Sequence, residues 1–400
     1  MRILLVSNGH GEDVMAAAVG RALRAHDLTV EAVPLIGRGA AYDTADIAAH
    51  GPRRSLPSGG YTLRGPARFA ADLRAGLIPA TWGAWRALRR GAAAADAAFV
   101  VGDPYAISVA AALGPSDRYY LPSAVSVMAW PLRTAPWEQP YGPLERRLMR
   151  GSRRVYPRDA ASGAWLQAHG VANVRDLGNP MLDAVTGDVA PDRSGPYLLL
   201  LPGTREDRWL SLPRMLDAAA RLGDLPLQPV VAWAGDDPPP DVPGWRWEAT
   251  GRTAGTVARY RRSTAAGEGA AVTVDVARGS FAVVLRGARV ALSTSGTAAE
   301  QCAGFGVPIV GFVTGGPQYT AGFAAGQKRA LGAALELVEP EPDAIAAAAR
   351  TLDGDASRRA RARADGRTAM GVPGAAARIA ADVADDVLGL RSATMPHHER

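Results

Sequence analysis

The amino-acid sequence predicts an α/β protein with two doubly wound, Rossmann-like domains. Three observations support this fold class. Short apolar segments alternate with helical patterns, many of these segments end in a glycine-rich or polar turn, and the pattern restarts in the second half of the chain. Strands that alternate with helices form parallel sheets from βαβ units. At 400 residues, the chain is long enough for two domains that each bury a core.

The first half contains three clear strand patterns. Arg2–Ser7 is an apolar segment typical of a buried strand, and a glycine-rich turn leads from it to a helix predicted over residues 14–25. Similar segments predict strands at Thr29–Pro34 and Ala97–Gly102. In the second half, the same pattern predicts strands at Tyr197–Leu201 and at residues 229–234, 290–293 and 308–313, followed by further helices.

Breaks in the pattern set the domain boundaries. Asp, Gly, Pro and Ser concentrate between Asp183 and Pro196, which separates a domain over residues 1–185 from one over residues 196–374. Pro373 should then end a helical stretch. We expect a last helix at residues 375–390 and an unstructured tail at residues 391–400.

Composition narrows the classes of protein. With Cys302 as the single cysteine, no intrachain disulfide and no cysteine-based zinc cluster can form. We also expect no cofactor. The apolar start stops at Ser7, which is too short for a signal peptide, and no stretch approaches the roughly 18 apolar residues of a membrane span. These features favour a cytoplasmic protein.

The net charge of +6 favours anionic partners, which include sugar nucleotides, lipid head groups and nucleic acid. No helix-turn-helix, zinc-finger or aromatic-basic RNA motif is present, so we expect no nucleic acid partner. A homodimer is the default expectation for the oligomeric state.

Polar residues follow the predicted strands of the first half, where ligands bind in open parallel sheets. The turn after the first strand carries Asn8, Gly9, His10, Gly11, Glu12 and Asp13. Its glycines allow backbone amides to approach a ligand, and the following helix start favours an anion. The turn is equally explained as a tight connection with Asp13 as a helix cap. Asp103 follows another strand and could deprotonate a hydroxyl, although an aspartate before a proline is also common in turns.

Two turns in the second half have the residues that a diphosphate requires. Gly203, Thr204 and Arg205 offer a close backbone, a hydroxyl and a fixed cation, although Arg205 could instead pair with a neighbouring carboxylate. Ser295, Gly296 and Thr297 precede a helix start, which is a second anion-binding position. Glu300 could hydrogen-bond a ribose diol, or be there because the helix dipole favours an acid. Its neighbour Gln301 is a further candidate nucleotide-binding residue.

One helical segment has interfacial character. Trp82 and Trp85 continue an apolar stripe after Pro79, which should interrupt the helix, and Arg86, Arg89 and Arg90 lie beside the stripe. Tryptophan and arginine on one short helix suit a membrane surface with anionic lipid. An ordinary core-facing helix with a solvated basic face explains the pattern equally well.

In this order, several motifs resemble lipid-A-disaccharide synthase and the proteins related to it. The matching stretches are Ser7-Asn8-Gly9-His10-Gly11-Glu12-Asp13, Val101-Gly102-Asp103-Pro104, Leu121-Pro122-Ser123, Ala129-Trp130, Gly178-Asn179-Pro180-Met181-Leu182-Asp183, Leu200-Leu201-Pro202-Gly203-Thr204-Arg205 and Ser295-Gly296-Thr297-Ala298-Ala299-Glu300. The resemblance runs from the first strand to about Gly332 and implies a GT-B fold, with a C-terminal helix that crosses back to the first domain.

The resemblance also implies an activity in lipid A biosynthesis. It implies an inverting, metal-independent hexosyltransferase at the inner face of the membrane, with a UDP-linked acylated glucosamine as donor and a glycolipid as acceptor. Asp103 takes the place of the base, with His10 as the reserve candidate. The N-terminal turn faces the acceptor, Arg205 and the turn from Ser295 to Thr297 hold the diphosphate, and Glu300 holds the ribose.

The N-terminal turn departs from the synthase pattern Gly-Glu-x-Ser-Gly-Asp, which leaves the acceptor open and favours the related group. Gly316-Pro317-Gln318-Tyr319 and Gln327-Lys328-Arg329 differ as well. Two other functions fit the same scaffold. A UDP-sugar 2-epimerase would need no lipid acceptor, and a non-catalytic protein could bind nucleotide sugars.

Overall fold

The computed structural model describes residues 1–54, 72–123, 126–129, 139–204, 206–235, 237–262 and 272–394, with side chains up to residue 389. The chain divides into two compact units. The first unit comprises residues 1–184 and 373–400, and the second comprises residues 185–372. Arg205, Trp130 and residues 395–400 lie outside the described residues.

The first unit is built on a parallel sheet. Its strands are β1 (Arg2–Ser7), β2 (Thr29–Pro34), β3 (Ala48–Ala49), β4 (Ala97–Gly102), β5 (Arg118–Pro122) and β6 (Arg154–Val155). Their order across the sheet is β3-β2-β1-β4-β5-β6. Every pairing among these strands is parallel, as the alternation of strands and helices predicts.

The second unit repeats this arrangement. Its strands are β7 (Tyr197–Leu201), β8 (Gln228–Ala232), β9 (Arg246–Ala249), β10 (Gly255–Arg262), β11 (Val272–Arg278), β12 (Ala288–Ser293), β13 (Ile309–Phe312) and β14 (Leu335–Val338). Their order is β14-β13-β12-β7-β8-β11-β10-β9. Without β9 and β10, the order is the same doubly wound one as in the first unit, so the predicted fold class is confirmed.

Helices connect the strands of both units. In chain order they are α1 (His10–Arg24), α2 (Ala40–Thr44), α3 (Leu77–Ala92), α4 (Pro104–Leu113), α5 (Pro143–Arg150), α6 (Ala160–Ala168), α7 (Asp207–Ala220), α8 (Phe281–Gly287), α9 (Thr297–Gly304), α10 (Ala321–Leu331), α11 (Pro342–Gly354), α12 (Ala356–Met370) and α13 (Ala375–Thr394), with a short 3-10 helix at Gly332–Ala334. α1 and α13 pack together in the first unit, and α4 packs against both α3 and α5.

The core of each unit lies between its sheet and its helices. In the first unit, Val6 and Val100 of the sheet pack with Leu88 of α3 and Ile107 of α4, and all four are fully buried. Strands that are covered on both faces have sequences that are continuous apolar runs. This is why β1, β4 and β7 begin and end at the residues that the sequence predicts.

Several elements differ from the sequence prediction. α1 begins at His10, four residues early, because the Gly9 turn enters the helix directly. Pro79 does not interrupt a helix, since it lies in the first turn of α3, where a proline costs no hydrogen bond. The antiparallel strands β9 and β10 were not predicted.

The C-terminal helix α13 continues to Thr394, so residues 391–394 of the predicted unstructured tail are helical. α13 belongs to the first unit, where the Asp183 carboxylate accepts hydrogen bonds from the backbone N–H groups of Gly374 and of Ala376, the latter at 2.6 Å. Asp386 accepts further bonds from Tyr119 (2.6 Å) and Arg153 (2.5 Å).

Candidate functional site

Each sheet has one point where its strand order reverses. In the first unit this point lies between β1 and β4, and in the second it lies between β7 and β12. The loops beyond the carboxyl ends of two such strands diverge to opposite faces and leave a crevice where ligands bind in open α/β sheets. The polar turns singled out in the sequence follow these four strands, so each unit carries a candidate site, called here the first rim and the second rim.

At the first rim, the turns after β1 and β4 are joined by a hydrogen bond. The Asn8 amide donates to Asp103 Oδ1 at 2.6 Å. The same oxygen accepts the backbone N–H groups of Tyr105 (3.0 Å) and Ala106 (3.2 Å), so Asp103 caps α4. Gly102 must be glycine, because its φ is +153° and a Cβ there would collide with the Asn8 amide. Asp103 Oδ2 accepts no hydrogen bond from the described residues.

Glu12 interacts electrostatically with Asp103 and is partly buried. Ser123 Oγ donates to Glu12 Oε1 at 3.3 Å. Burial raises the pKa of Glu12 above its ordinary value, and the negative charge of Asp103 adds to this, whereas the Ser123 hydrogen bond and nearby His10 oppose it. His10 is the first residue of α1 and is exposed, while Gly11 is partly exposed next to it.

Asp13 does not face the first rim. Its side chain turns into the interior, where the residue is 1% exposed, and accepts a hydrogen bond from Ser7 Oγ at 2.6 Å. Ser7 also shares a 2.5 Å hydrogen bond with Tyr42. Burial raises the pKa of Asp13 to about 7. The expected roles of Asp13 as acceptor contact or helix cap are therefore wrong, because its carboxyl serves an internal hydrogen-bond network.

A second buried acid lies near Asp103 and was not singled out in the sequence. Glu145 of α5 accepts a hydrogen bond from the Tyr120 hydroxyl at 3.1 Å. Burial raises the pKa of Glu145 to about 7, and the charge of Asp103 contributes. No local pattern in the sequence marks Glu145, because its hydrogen bond to Tyr120 of β5 and its electrostatic interaction with Asp103 arise only in the folded structure.

At the second rim, the turns after β7 and β12 are also joined. Thr294 donates its backbone N–H to the Leu201 carbonyl at 3.2 Å, and its hydroxyl contacts the Pro202 carbonyl at 3.3 Å. Gly203 has a φ of +88°, which favours glycine, and Thr204 is exposed beside it.

The helix that follows β12 starts without a side-chain cap. α9 begins at Thr297, which is exposed. The N-cap residue is Gly296, which has no side chain that could accept a hydrogen bond from the first turn. The Ser295 N–H is turned back to Ser293 Oγ at 3.1 Å. Unpaired N–H groups and the helix dipole make such a start suitable for a phosphate.

Glu300 is partly exposed in the first turn of α9. Gln301 is 8% exposed and is one of the buried residues of α9, and its part in nucleotide binding stays a prediction. Cys302 is fully buried, and burial raises the pKa of its thiol. A buried neutral thiol fits the core position that the sequence indicates.

A buried network, not anticipated from the sequence, ties three turns of the second rim together. Asp207, which is 3% exposed at the start of α7, accepts the backbone N–H groups of Gln318 (3.1 Å) and Tyr319 (2.6 Å). The Tyr319 hydroxyl donates to Gln327 Oε1 at 2.9 Å. Gln327 Nε2 then donates to the Gly296 carbonyl at 3.0 Å. The turns after β7, β12 and β13 thus form one hydrogen-bonded frame.

The tryptophans of α3 have different environments. Trp85 packs partly against the core and donates Nε1–H to the Tyr105 hydroxyl at 3.1 Å. Trp82 is 59% exposed and Ile78 is 69% exposed. The arginines beside them, Arg86, Arg89 and Arg90, are exposed as well. The predicted stripe is therefore divided between a core side and an apolar-basic outer side. No helix within the described part of the chain is both long and apolar enough to span a membrane.

The sequence matches no protein-family model and no curated protein. Solved structures match along nearly the whole chain. They include the calicheamicin glycosyltransferase CalG4, with 18% identity, a TM-score of 0.61, and coverage of 97% of this chain and 98% of that one. MnaA of S. aureus, solved with UDP, has 13% identity, a TM-score of 0.58 and 97% coverage of both chains. UDP-GlcNAc 2-epimerase of Neisseria meningitidis, bound to UDP-GlcNAc, has 14% identity, a TM-score of 0.52, and coverage of 98% and 100%.

The fold is of the GT-B type. Its two doubly wound units and the full-length match to glycosyltransferase and epimerase structures agree with the expectation from the sequence. At such low identity, likeness extends to the fold, and the site has to be argued from this chain's own residues.

Proposed function

We propose that this protein is a hexosyltransferase that moves an acylated glucosamine-type sugar from UDP to a glycolipid, with inversion and without a metal ion. One observation carries the donor class: an uncapped helix start, α9, lies at the strand-order reversal of the second unit in a GT-B fold. Two of the proteins with a similar fold were solved with UDP or UDP-GlcNAc, which supports the same class here.

The second rim would hold the donor. The α9 N-terminus, with Ser295, Gly296 and Thr297, accepts the diphosphate, and Gly203 and Thr204 line the neighbouring turn. Glu300 binds the ribose diol. Arg205, assigned from the sequence, supplies the fixed cation that stabilises charge on the departing diphosphate.

The first rim would act on the acceptor. The acceptor oxygen forms the new bond to the anomeric carbon while the bond from that carbon to the diphosphate breaks. The acceptor hydroxyl gives its proton to Asp103 Oδ2, and UDP leaves with the bonding electrons. Asp103 suits this role because Asn8 and the start of α4 occupy only its other oxygen. His10 is the reserve base, and Asn8, Gly9, Gly11 and Glu12 surround the acceptor.

A lipid acceptor is supported by the outer side of α3. Ile78 and Trp82 project from a helix that also exposes Arg86, Arg89 and Arg90. Apolar side chains next to arginines suit the interface of an anionic membrane. We therefore propose peripheral attachment of a cytoplasmic enzyme to the inner face of the membrane, and lipid A biosynthesis as the setting that the motifs favour.

The second candidate is a UDP-sugar 2-epimerase. The similar folds include UDP-GlcNAc 2-epimerases, and a partly buried carboxyl with a raised pKa, such as Glu12, suits proton transfer at a sugar carbon. Incubation with UDP-GlcNAc and no acceptor separates the two. A 2-epimer that accumulates without acceptor supports the epimerase. UDP release that requires added membrane lipid supports the transferase. UDP-GlcNAc binding with neither product leaves a non-catalytic binding protein.

The donor class is tested first by calorimetric titration with UDP. We expect micromolar-range binding by the wild type and a strong loss in both Glu300→Ala and Arg205→Ala. Glu248→Ala is the matched control, because Glu248 lies on β9, at the far edge of the same sheet. Failure of the folded wild-type protein to bind UDP would contradict the proposed donor.

A further inference from the structure

An exposed aromatic side chain lies directly against the proposed phosphate turn. Phe323 is in the first turn of α10 and is 45% exposed. Its ring contacts Gly296, since a Cβ built at position 296 would be 3.1 Å from Phe323 Cζ. The ring thus lies beside the start of α9 and leaves much of its surface to solvent. A large apolar side chain in this position costs free energy unless something covers it.

The ring is held in place by the frame beneath it. Tyr319 packs against Phe323 edge to face, with ring centroids 5.6 Å apart. The Phe323 N–H donates to Thr320 Oγ1 at 3.3 Å, which caps α10. Tyr319 is itself fixed by Asp207 and Gln327. An aromatic ring that is already ordered loses little conformational entropy when a ligand covers it.

The chemistry around the ring defines what it could contact. The turn that it touches carries Ser295, Gly296 and Thr297, which offer hydroxyl and backbone N–H groups suited to phosphate oxygens. In a nucleotide sugar, the sugar is joined directly to the second phosphate. An apolar ring within contact distance of the phosphate turn is therefore within reach of the sugar. Ligand sites commonly combine such an apolar wall with a few polar groups that fix orientation.

We propose that Phe323 is a specificity-determining residue that contacts the sugar of the donor, on the side of its apolar N-acyl group. The inference rests on the proposed UDP-sugar donor site and adds to it the feature that distinguishes acylated from non-acylated sugars. The ring covers the acyl group, the α9 N-terminus binds the diphosphate, and the uridine makes no contact with Phe323.

The experiment compares three ligands on Phe323→Ala: UDP, UDP-GlcNAc and UDP-glucose, each by calorimetric titration. We expect UDP-GlcNAc to bind about 10-fold more weakly, because alanine cannot cover the acyl group. UDP and UDP-glucose should each change by less than about 2-fold. Phe323→Leu keeps part of the apolar surface and should recover part of the affinity. Val372→Ala is the control, since Val372 is as exposed as Phe323 and lies outside the second rim.

The outcomes separate the inference from the function on which it rests. An equal loss of affinity for all three ligands would overturn the inference, because it would place the ring against the nucleotide. Unchanged affinity for all three would overturn it as well. In both cases, wild-type binding of UDP would leave the proposed donor class intact. If the wild-type protein binds none of the ligands, the donor class itself is wrong.

Discussion

The two rims share one topology but differ in the burial and charge of their side chains. At the first rim, Glu12 and Glu145 interact electrostatically with Asp103, and burial raises the pKa of both glutamates. At the second rim, the turn before α9 carries small hydroxyl residues and glycine, and no side chain caps the helix. The first arrangement suits the transfer of protons, and the second suits the binding of an anion.

Local helix starts explain much of this difference. α4 is capped by Asp103, which places a carboxylate where an anion would otherwise bind. α9 has no such cap, so its first N–H groups remain for a ligand. The helix starts that follow β4 and β12 therefore differ in electrostatic preference through a single residue, whereas α1 at the first rim resembles α9 in having no side-chain cap.

The largest effect should come from removing the proposed base at the first rim. Asp103→Asn keeps an oxygen that can cap α4 but cannot accept the acceptor's proton. We expect turnover to fall by about 10²–10⁴-fold, with thermal stability close to that of the wild type. Asp103→Ala should lose both turnover and stability, since it also removes the cap. Full activity in Asp103→Asn would contradict the assignment and direct attention to His10.

The buried acids of the first unit predict an unusual dependence of stability on pH. The folded-state pKa of Asp13 is raised to about 7, so the folded protein binds a proton that the unfolded chain has released. The contribution of Asp13 to the free energy of unfolding is therefore complete below pH 4 and is lost as the pH rises through about 7. We expect a loss on the order of 2–4 kcal/mol from this group between pH 5 and pH 8.

Denaturant unfolding at several pH values checks this expectation. Asp13→Asn should flatten the decline, and Glu145→Gln should flatten it further because burial raises the pKa of Glu145 in the same direction. Asp27→Asn, at an exposed position of the same unit, should leave the profile unchanged. A wild-type stability that rises between pH 5 and pH 8 would be incompatible with this account.

A charge placed at the second rim should sharpen the contrast between the two helix starts. Thr297→Glu adds a carboxylate at the exposed first residue of α9, which favours the helix but repels a diphosphate. We expect UDP affinity to fall by about 10–100-fold with no loss of thermal stability. Thr297→Gln is the neutral control, and His10→Glu makes the same change at the first rim, where UDP affinity should not respond.

The smallest effect concerns Asp183, which belongs to one of the family-like motifs but has a structural role. Asp183 ends the stretch that begins at Gly178, and its carboxylate caps α13. Asp183→Ala should lower the free energy of unfolding of the first unit by about 1–2 kcal/mol, because the two hydrogen bonds to the start of α13 no longer form. Hydrogen exchange at the backbone amides of α13 measures this locally. Asp188→Ala, at a nearby exposed position, is the control, and equal exchange in both variants would refute the capping role.

Many strand and helix positions could be predicted from the sequence because they depend on local patterns. β1, β4 and β7 are continuous apolar runs, which identify strands buried on both faces. The antiparallel pair β9 and β10 could not be predicted in this way. Its residues mix arginine, tryptophan and small side chains, and its place depends on pairing within the sheet: β10 pairs with β11, and β9 pairs with β10 at the sheet edge.

The candidate sites were predicted in part. The residue types at Asn8, Asp103 and Gly203 indicate polar turns after strands, and the structure places them beside the strand-order reversals. The sequence does not reveal that Asp13 turns inward or that Trp85 packs toward the core while Trp82 faces solvent. A difference of a few residues along a helix decides which side a residue lies on, and the packing partner decides which side is buried.

The sequence by itself determined the alternation of strands and helices, the glycines at the turns, and the hydroxyl and acidic residues that follow the strands. Only the tertiary structure brought Asn8 to Asp103 across 95 positions and Gln327 to Gly296 across 31 positions. The physical reason is that hydrophobic periodicity is a property of neighbouring residues, whereas a hydrogen bond between distant turns depends on the order of strands in the sheet. That order joined separate polar turns into two rims with opposite electrostatic character.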